Sequence, residues 1–254
     1  MGVQAVLVSG GAALGPTAGG FLVTHFGWPA VFLVNLPIGA LAAFLAVVVL
    51  PPLQTNRTRE PLDWPGAALL LGGMTPLLLG ITKGSDWGWS SALVLGLIGV
   101  GVIVTAVFVQ HERRVRYPLV DISLYRIREF AAGQTAGVFA TLAMATVMLL
   151  FPFYWQGLRG YSAQDAGIFM LPLPLTLMIV APLSGKLSDA IGARGIASLG
   201  LGFVMVGLFL ISGITAEMAV WAVLLRLLVL GIGLGMFMAP NNNAVMSSVP
   251  ARRR

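Results

Sequence analysis

The 254-residue sequence contains no cysteine, which excludes disulfide bonds, thiolate nucleophiles and cysteine-ligated metal sites and leaves the redox compartment undetermined. It has only two histidines, His25 and His111, and several apolar segments separate them along the chain. An enzyme's active site needs titratable or nucleophilic groups clustered at one place, and these histidines form no such cluster. The sequence therefore predicts a protein that is not an enzyme and that holds neither a metal nor a cofactor.

Charged residues are also scarce. They make up 9% of the chain, whereas soluble domains carry about 25%. Residues of the AVILMFWYC set account for 57%, and the mean hydropathy is +0.92. In lipid, only helices and closed barrels satisfy their backbone hydrogen bonds. The apolar runs suit spanning helices of about 20 residues and lack the alternating polarity of barrel strands. We therefore predict an all-α, polytopic integral membrane helix bundle.

Eight apolar segments are long enough to span a bilayer. They cover residues 3–24, 29–50, 64–82, 91–109, 130–153, 164–183, 196–213 and 219–240. Alternation across these segments places twelve basic residues on one side and only Lys83 and Arg159 on the other, with Arg226 inside a segment. Basic residues accumulate on the cytoplasmic side of membrane proteins. This predicts a multi-pass protein of the plasma or inner membrane with both termini cytoplasmic, and it explains the net charge of +6 without a nucleic-acid partner.

The first segment carries a stripe of small residues. Gly11, Gly15 and Gly19 recur every four positions, so they share one face of a helix, and Gly20 follows directly. A face of this kind lets a neighbouring helix approach closely in lipid. Pro16 removes a backbone donor and is expected to kink the helix. Two interpretations stay open: a surface that moves against its neighbour during transport, or a generic packing face.

The full pattern of the first segment resembles the antiporter signature of drug:proton antiporters in the major facilitator superfamily, and further matches point to its fourteen-helix multidrug-efflux branch. These matches follow in order along the chain. They are Trp28, Phe32, Asn35, Pro37 and Gly39 in the second segment; Asp63 and Gly66 at the third; and Pro152, Tyr154, Gln156, Gly160, Tyr161, Ser162, Gly167 and Pro172 around a later corner. The resemblance covers essentially residues 1–250.

Residues 185–194 resemble the superfamily's loop signature G-x-L-x-D-x-x-G-x-R. The matching residues are Gly185, Leu187, Asp189, Gly192 and Arg194. The resemblance implies a cytoplasmic gate in which Asp189 accepts from amides of the next helix or pairs with Arg194 or a neighbouring cation. A plain solvated turn is the alternative. A looser resemblance, to the family's fourth-helix signature, is carried by Arg226 and the glycines at 231, 233 and 235.

Aligned with the fourteen-helix branch, the chain corresponds to the fifth to twelfth helices, so we expect a truncated chain and a partial major facilitator fold. The resemblance assigns 1–50 to the last two helices of the N-terminal half, 51–129 to the extra helix pair and a cytoplasmic linker, and 130–254 to the first four helices of the C-terminal half. It implies a secondary active transporter that couples protons to efflux of drug-like or amphipathic organic compounds by alternating access. The alternative is a non-transporting membrane scaffold, or a partner subunit whose missing helices lie on a separate chain.

Few polar residues fall inside the predicted segments. Arg226 lies inside its segment and is a candidate for the transport pathway or for a structural cation bound to helix carbonyls. Gln134 is a candidate for lining a cavity or bonding between helices, and Tyr154 and Gln156 for contacting substrate or anchoring the interface. Three asparagines at 241–243 predict the inner end of the last helix. None of the nine acidic residues lies at mid-membrane, so no proton carrier is assigned.

Overall fold

The computed structural model describes residues 11, 15, 17–49 and 62–249. Within these ranges the chain is almost entirely helical and has no strand, so the predicted all-α class is confirmed. The chain divides into two compact units: Met1–Pro51 with Glu129–Arg254 form the first, and Pro52–Arg128 forms the second. Whether these segments belong to the two halves and the extra pair of a larger transporter stays a prediction.

Seven stretches of the described residues are long and apolar enough to cross a bilayer. They are Pro29–Val49, Trp64–Trp87, Ala92–Glu112, Arg128–Leu158, Ala163–Ile191, Ala193–Ser212 and Val220–Ser248. Each overlaps a predicted segment, and several run one or two turns beyond the predicted end. The predicted span 3–24 lies mostly outside the described residues.

The first unit begins with three helices. α1 is helical over residues 17–26, and Gly27 then turns the chain at a φ of 78°, a conformation that L side chains rarely adopt. α2 (Pro29–Leu33) leads into α3 (Asn35–Val49). Every residue of α3 is exposed. A helix that is apolar on all sides suits contact with lipid or with other membrane helices.

The second unit is built on a hairpin of α4 (Trp64–Trp87) and α5 (Ala92–Glu112). Asp63 caps α4 and Ser91 caps α5, each by accepting a hydrogen bond from the amide three residues ahead. Gly88, with a φ of 84°, ends α4 and turns the chain between the two helices. A 3-10 turn then precedes the next spanning helix.

Glycines bring the backbones of α4 and α5 into contact. A Cβ atom on Gly73 would lie 2.6 Å from the Thr105 Oγ1, and one on Gly80 would lie 2.9 Å from the Ile98 Cγ1. In return, a Cβ on Gly101 would lie 2.7 Å from the Leu77 Cβ. Since no side chain fits at these points, the hairpin depends on glycine there.

Five helices and one wide turn complete the first unit. They are α6 (Arg128–Pro152), a π-helical turn (Phe153–Leu158), α7 (Ala163–Met170), α8 (Pro172–Ile191), α9 (Ala193–Ser212) and α10 (Val220–Ser248). Proline at 152 has no amide hydrogen to donate, and the helix widens directly after it. The core gathers around α10, where Leu227, Leu230 and Leu234 are almost wholly buried.

α10 is longer than the sequence predicted. Its 29 residues run to Ser248, so the predicted helix end at the three asparagines was wrong. The helix continues because Asn241, only 8% exposed, donates from its Nδ2 to the carbonyl of Gly133 on α6 at 3.1 Å. A buried amide side chain with a partner does not need the aqueous interface.

Candidate functional site

α10 lies between α8 and α9 and touches both through glycines. On the α8 side, a Cβ on Gly231 would lie 2.9 Å from the Thr176 Cβ, and one on Gly235 would lie 2.8 Å from the Val180 Cβ. On the α9 side, a Cβ on Gly233 would lie 2.5 Å from the Val204 amide nitrogen. We call this set of contacts the glycine seam.

α9 contributes its own glycines to the glycine seam. A Cβ on Gly200 would lie 2.8 Å from the carbonyl oxygen of Gly233, and one on Gly207 would lie 2.8 Å from the Cα of Leu230. At both points the obstacle is backbone, which cannot rotate away as a side chain can. At these glycines the three spanning helices approach very closely, and only small residues permit it, while larger buried side chains pack beside them.

Two polar side chains form hydrogen bonds between α10 and its neighbours. Ser184 on α8 donates from its Oγ to the carbonyl of Gly235 at 2.7 Å, and its residue is buried. Asn241 donates to Gly133 as described above, and a Cβ on Gly133 would come within 2.5 Å of the Val245 side chain. Hydrogen bonds of this kind between membrane helices contribute modestly, about 0.6 to 2 kcal/mol each.

Arg226 binds helix carbonyls. Its Nε donates to the carbonyl of Leu210 at 2.9 Å, and its Nη1 donates to the carbonyl of Ala222 at 2.6 Å. Leu210 lies in the last turn of α9, where carbonyls lack an intrahelical donor. Because α10 begins at Val220, Arg226 lies about 9 Å from the start of the helix. A pathway role for Arg226 stays a prediction.

The π-helical turn carries an aromatic cluster around a cation. The Arg159 Cζ lies 5.8 Å from the ring centre of Tyr154, 5.3 Å from that of Trp155 and 5.4 Å from that of Tyr161. We call these three rings the aromatic box. Phe169 on α7 packs behind it, with ring-centre distances of 4.7 Å to Trp155 and 5.1 Å to Tyr161. All three box distances lie within the range of a cation–π interaction.

Hydrogen bonds join this turn to the loop between α9 and α10. The Tyr154 hydroxyl donates to the carbonyl of Thr215 at 2.9 Å. The Arg159 Nη1 donates to the carbonyl of Met218 at 2.7 Å and to the Tyr154 oxygen at 3.3 Å. Tyr154 is thus held by its hydroxyl, whereas the side chain of Gln156, two residues on, is exposed and forms no hydrogen bond with a described residue.

Gln134 on α6 is half-buried, and its side chain likewise forms no hydrogen bond with the described part of the chain.

The loop that resembles the superfamily's gate is a tight helix–helix junction. α8 ends at Ile191, and Gly192 follows as its cap. The φ of 96° at Gly192 turns the chain directly into α9, and the Gly192 amide donates to the carbonyl of Ser188 at 2.9 Å. Asp189 and Arg194 are both exposed, and neither side chain forms an ion pair or hydrogen bond with a described residue. Gly185 only approaches the Ala239 side chain. The gate role of these residues stays a prediction.

The glycine stripe of the first segment has no close neighbour among the described residues. A Cβ on Gly11, Gly15 or Gly19 would meet no described atom within 4 Å. The next glycine is different, because a Cβ on Gly20 would lie 2.5 Å from the carbonyl oxygen of Ala163 at the start of α7. Pro16 and its predicted kink lie outside the described residues.

α1 therefore meets α7 through a different face from the stripe. Beside Gly20, the Thr17 hydroxyl donates to the carbonyl of Gly167 at 3.3 Å. A threonine and a glycine three positions apart share one side of a helix. Packing of the stripe itself against a helix stays a prediction.

A charged cluster at the base of the α4–α5 hairpin was missed from the sequence. The His111 Nε2 lies 2.9 Å from one Asp63 oxygen, and the Glu112 Oε2 accepts from the Val120 amide at 2.9 Å. The second Glu112 oxygen is buried without a partner among the described atoms. The hydrogen bond from the Gly66 amide, with help from His111 and against the effect of burial, lowers the pKa of Asp63 below 3.8. The sequence indicated the two apolar segments and the match of Asp63 and Gly66 to the extra helix pair. No signal in it pairs Asp63 with His111.

Comparison with known proteins identifies the family. The Major Facilitator Superfamily profile matches residues 1–254. The chain is 30% identical to the riboflavin transporter RibZ of Clostridioides difficile (strain 630), over 100% of this chain and 54% of that protein. It is 30% identical to the tetracenomycin C resistance and export protein of Streptomyces glaucescens, over 99% and 47%. It is 31% identical to the multidrug resistance protein Stp of Mycobacterium tuberculosis, over 100% and 47%.

The chain spans about half the length of the curated relatives it matches. Members of the matched family are transporters and not enzymes, and they move small organic substrates across membranes. The predicted resemblance to drug-exporting members is confirmed by the tetracenomycin C and multidrug resistance relatives. With seven apolar helices in its described part, this multi-pass membrane protein belongs to the Major Facilitator Superfamily.

Proposed function

We propose that this chain works in a secondary active transporter that exports drug-like or amphipathic organic compounds by alternating access, with protons as the coupling ion. The observation that carries the proposal is the glycine seam. Alternating access requires helices to rock against one another around a central site. At the points of closest approach between α8, α9 and α10 the glycines carry no side chain, which removes the largest steric obstacle to a small shift of one helix against another.

The names of the relatives support the direction and the substrate class. Two of the three carry resistance in their names, one for tetracenomycin C and one for multiple drugs, and the third is named for riboflavin. Drug resistance by a transporter is most simply efflux. Efflux of organic compounds is therefore the activity that we assign to the protein.

The acidic residues in the described spans do not identify a proton carrier. Asp86, Glu112 and Asp189 lie in the last turns of their helices, and Glu129 and Asp165 lie in the first turns. A coupling group normally sits in or beside the membrane pathway. Proton coupling is therefore proposed on the family resemblance, and the experiment has to measure it directly.

The test uses the protein expressed from its natural gene in a bacterial strain that lacks its own multidrug exporters. Cells energised with glucose should accumulate less ethidium than cells with an empty vector, and collapsing the proton-motive force with the protonophore CCCP should abolish the difference. A Gly233→Leu variant that reaches the membrane should lose efflux, since the side chain would strike the α9 backbone. Equal accumulation with and without the protein, for ethidium and a panel of other organic compounds, would reject efflux. Efflux that survives CCCP would reject proton coupling alone.

The remaining assignments extend the same proposal. Both termini are placed in the cytoplasm of a cell-membrane protein, the loop 185–194 acts as a cytoplasmic gate, and Gly11, Gly15, Pro16 and Gly19 serve a moving helix contact. The charge asymmetry supports the orientation, and the resemblance of the loop and of the first segment supports the other two roles.

A second candidate function is a scaffold or partner subunit that pairs with helices on a separate chain. The exposure of every α3 residue, and the lack of a described neighbour beside Gly11 and Gly15, favour it. Size-exclusion chromatography with light scattering on the protein purified from its native membrane separates the two candidates. A stable complex with a second membrane protein supports the partner subunit, and a single chain species that transports rejects it.

A further inference from the structure

The aromatic box is closed by a residue of the chain itself. Arg159 follows the π-helical turn and places its guanidinium between 5.3 and 5.8 Å from three ring centres. A cation over the faces of tyrosine and tryptophan is stabilised by the ring quadrupoles, and the effect grows as water is excluded. Trp155 is fully buried and Tyr161 is half-buried, so the site is shielded from solvent on that side.

The box is rigid before any ligand arrives. Phe169 packs against both Trp155 and Tyr161, and the Tyr161 amide donates to the carbonyl of Trp155 at 2.9 Å. The Tyr154 ring is fixed by its hydroxyl bond to Thr215. Arg159, by contrast, is half-buried, and hydrogen bonds to the Met218 carbonyl and the Tyr154 oxygen hold its guanidinium in place. A preformed cage with a removable cation has the properties of a binding site for cations.

One polar atom inside the cluster is unused. The Trp155 Nε1–H is buried and has no hydrogen-bond partner in the described part of the chain. A buried donor without a partner costs free energy, and such groups often mark a function. The π-helical geometry of Phe153–Leu158 is itself uncommon and is frequent at functional sites. An unpaired buried donor and a π-helical turn both lower stability, so a contribution to stability does not by itself explain this cluster.

The geometry points to the aromatic box as a binding site for organic cations, with Arg159 as its resident occupant. A ligand cation displaces the guanidinium, which breaks the bond from Arg159 to the Met218 carbonyl and leaves the Tyr154–Thr215 bond to join this turn to the α9–α10 loop. This inference rests on the proposed function, because it names the subsite where a cationic substrate of the exporter binds. It adds that occupation of the site loosens the contacts between the π-helical turn and residues 213–219.

The prediction follows from competition. When a ligand has to displace an internal occupant, its apparent Kd equals its intrinsic Kd divided by the fraction of time that the box is free. Arg159→Gln removes the cation while keeping a polar, uncharged side chain. It should therefore tighten binding of tetraphenylphosphonium, by about tenfold if Arg159 fills the box nine-tenths of the time. Tetraphenylborate has the same shape and the opposite charge, so its affinity should not rise.

Isothermal titration calorimetry on the purified protein in detergent measures both ligands. Within the Arg159→Gln background, Tyr161→Leu should remove the gain because a ring is lost, and Tyr161→Phe should keep it. Thermal unfolding of each variant checks folding. Unchanged tetraphenylphosphonium affinity in Arg159→Gln, or an equal gain for tetraphenylborate, overturns the assignment.

A second measurement does not depend on changing Arg159. The chain has no cysteine, so Met218→Cys introduces a single thiol at a half-buried residue whose backbone carbonyl accepts the bond from Arg159. Tetraphenylphosphonium should increase its rate of maleimide labelling, and tetraphenylborate should not. No acceleration by the cation overturns the displacement. The ethidium assay is separate: a protein that binds the cation but exports nothing refutes the proposed function only, and one that exports without these cation effects refutes this inference only.

Discussion

At the scale of single residues, the described structure depends on positions where a side chain has no room. Gly233, Gly200 and Gly207 all face backbone atoms of a neighbouring helix at less than 3 Å from an added Cβ. Glycine is unfavourable within a helix by about 1 kcal/mol relative to alanine. Its presence at these positions therefore reflects the partner helix and not the preference of the local sequence.

This contrast can be measured with two glycines of adjoining helices. Gly233→Ala should destabilise the protein by about 1–3 kcal/mol, because its Cβ would lie 2.5 Å from the Val204 amide nitrogen. Gly202→Ala on α9 is the matched control, since a Cβ there meets nothing within 4 Å. It should be neutral or stabilising by up to about 1 kcal/mol. Thermal unfolding in detergent reports both, and equal melting temperatures for the two variants would contradict the glycine seam.

At the scale of elements, the α4–α5 hairpin combines a glycine contact along its length with a charged clasp at its base. Asp63 caps α4 and also contacts His111 at the end of α5, so one carboxylate joins both helices. The glycines let the two helix backbones approach closely. The contact between Asp63 and His111, which we call the clasp, holds the start of α4 to the end of α5.

The clasp makes hairpin stability depend on pH in a defined direction. The pKa of Asp63 lies below 3.8 in the folded protein, chiefly because the Gly66 amide donates to it. A lowered pKa means that the carboxylate stabilises the fold fully above the unfolded value and loses that contribution as pH falls through the folded value. Asp63→Asn should therefore lower the melting temperature at pH 6, and the difference from the unmodified protein should shrink below about pH 4.

Asp86 supplies the control for this titration. It lies on the same hairpin and pairs with Lys83 at 2.8 Å, but both side chains are exposed, and exposed pairs contribute little. Asp86→Asn should leave the melting temperature nearly unchanged at both pH values. A difference between Asp63→Asn and the unmodified protein that stays constant from pH 6 to pH 3.5 would show that the Asp63 charge is not the stabilising feature.

At the scale of the whole molecule, the open question is which side of the membrane each loop faces. α5 has 21 residues, about 31 Å at 1.5 Å per residue, which matches a hydrocarbon core of about 30 Å. We therefore expect its two ends to lie on opposite sides of the membrane. The excess of basic residues predicts that the end carrying Arg114 is cytoplasmic and that the end near Ser85 is not.

Single cysteines in this cysteine-free chain can decide the orientation. Ser85→Cys and Arg114→Cys are both at exposed positions. In intact cells, a membrane-impermeant maleimide should label Ser85→Cys, and Arg114→Cys should react only after the cells are opened. The reverse pattern would invert the topology. Labelling of both positions in intact cells would mean that α5 does not span.

Several features were determined by the order of amino acids alone. Hydropathy over windows of about 20 residues places each spanning helix, because burial in lipid depends on local composition and not on tertiary partners. The ordered glycine, proline and acidic motifs were enough to recognise the family. The internal glycines 73, 80 and 101 were visible as residues, but their partners were not.

Tertiary structure decided what those residues do. Asp63 meets a histidine 48 positions away, α10 continues past three asparagines because Asn241 finds a partner on α6, and Arg159 enters a box of three rings. It also placed Gly20, and not the glycine stripe, against α7. Each outcome depends on which helices pack together and at what height. Hydropathy carries no such information, because every lipid-facing and helix-facing surface of a membrane helix is apolar.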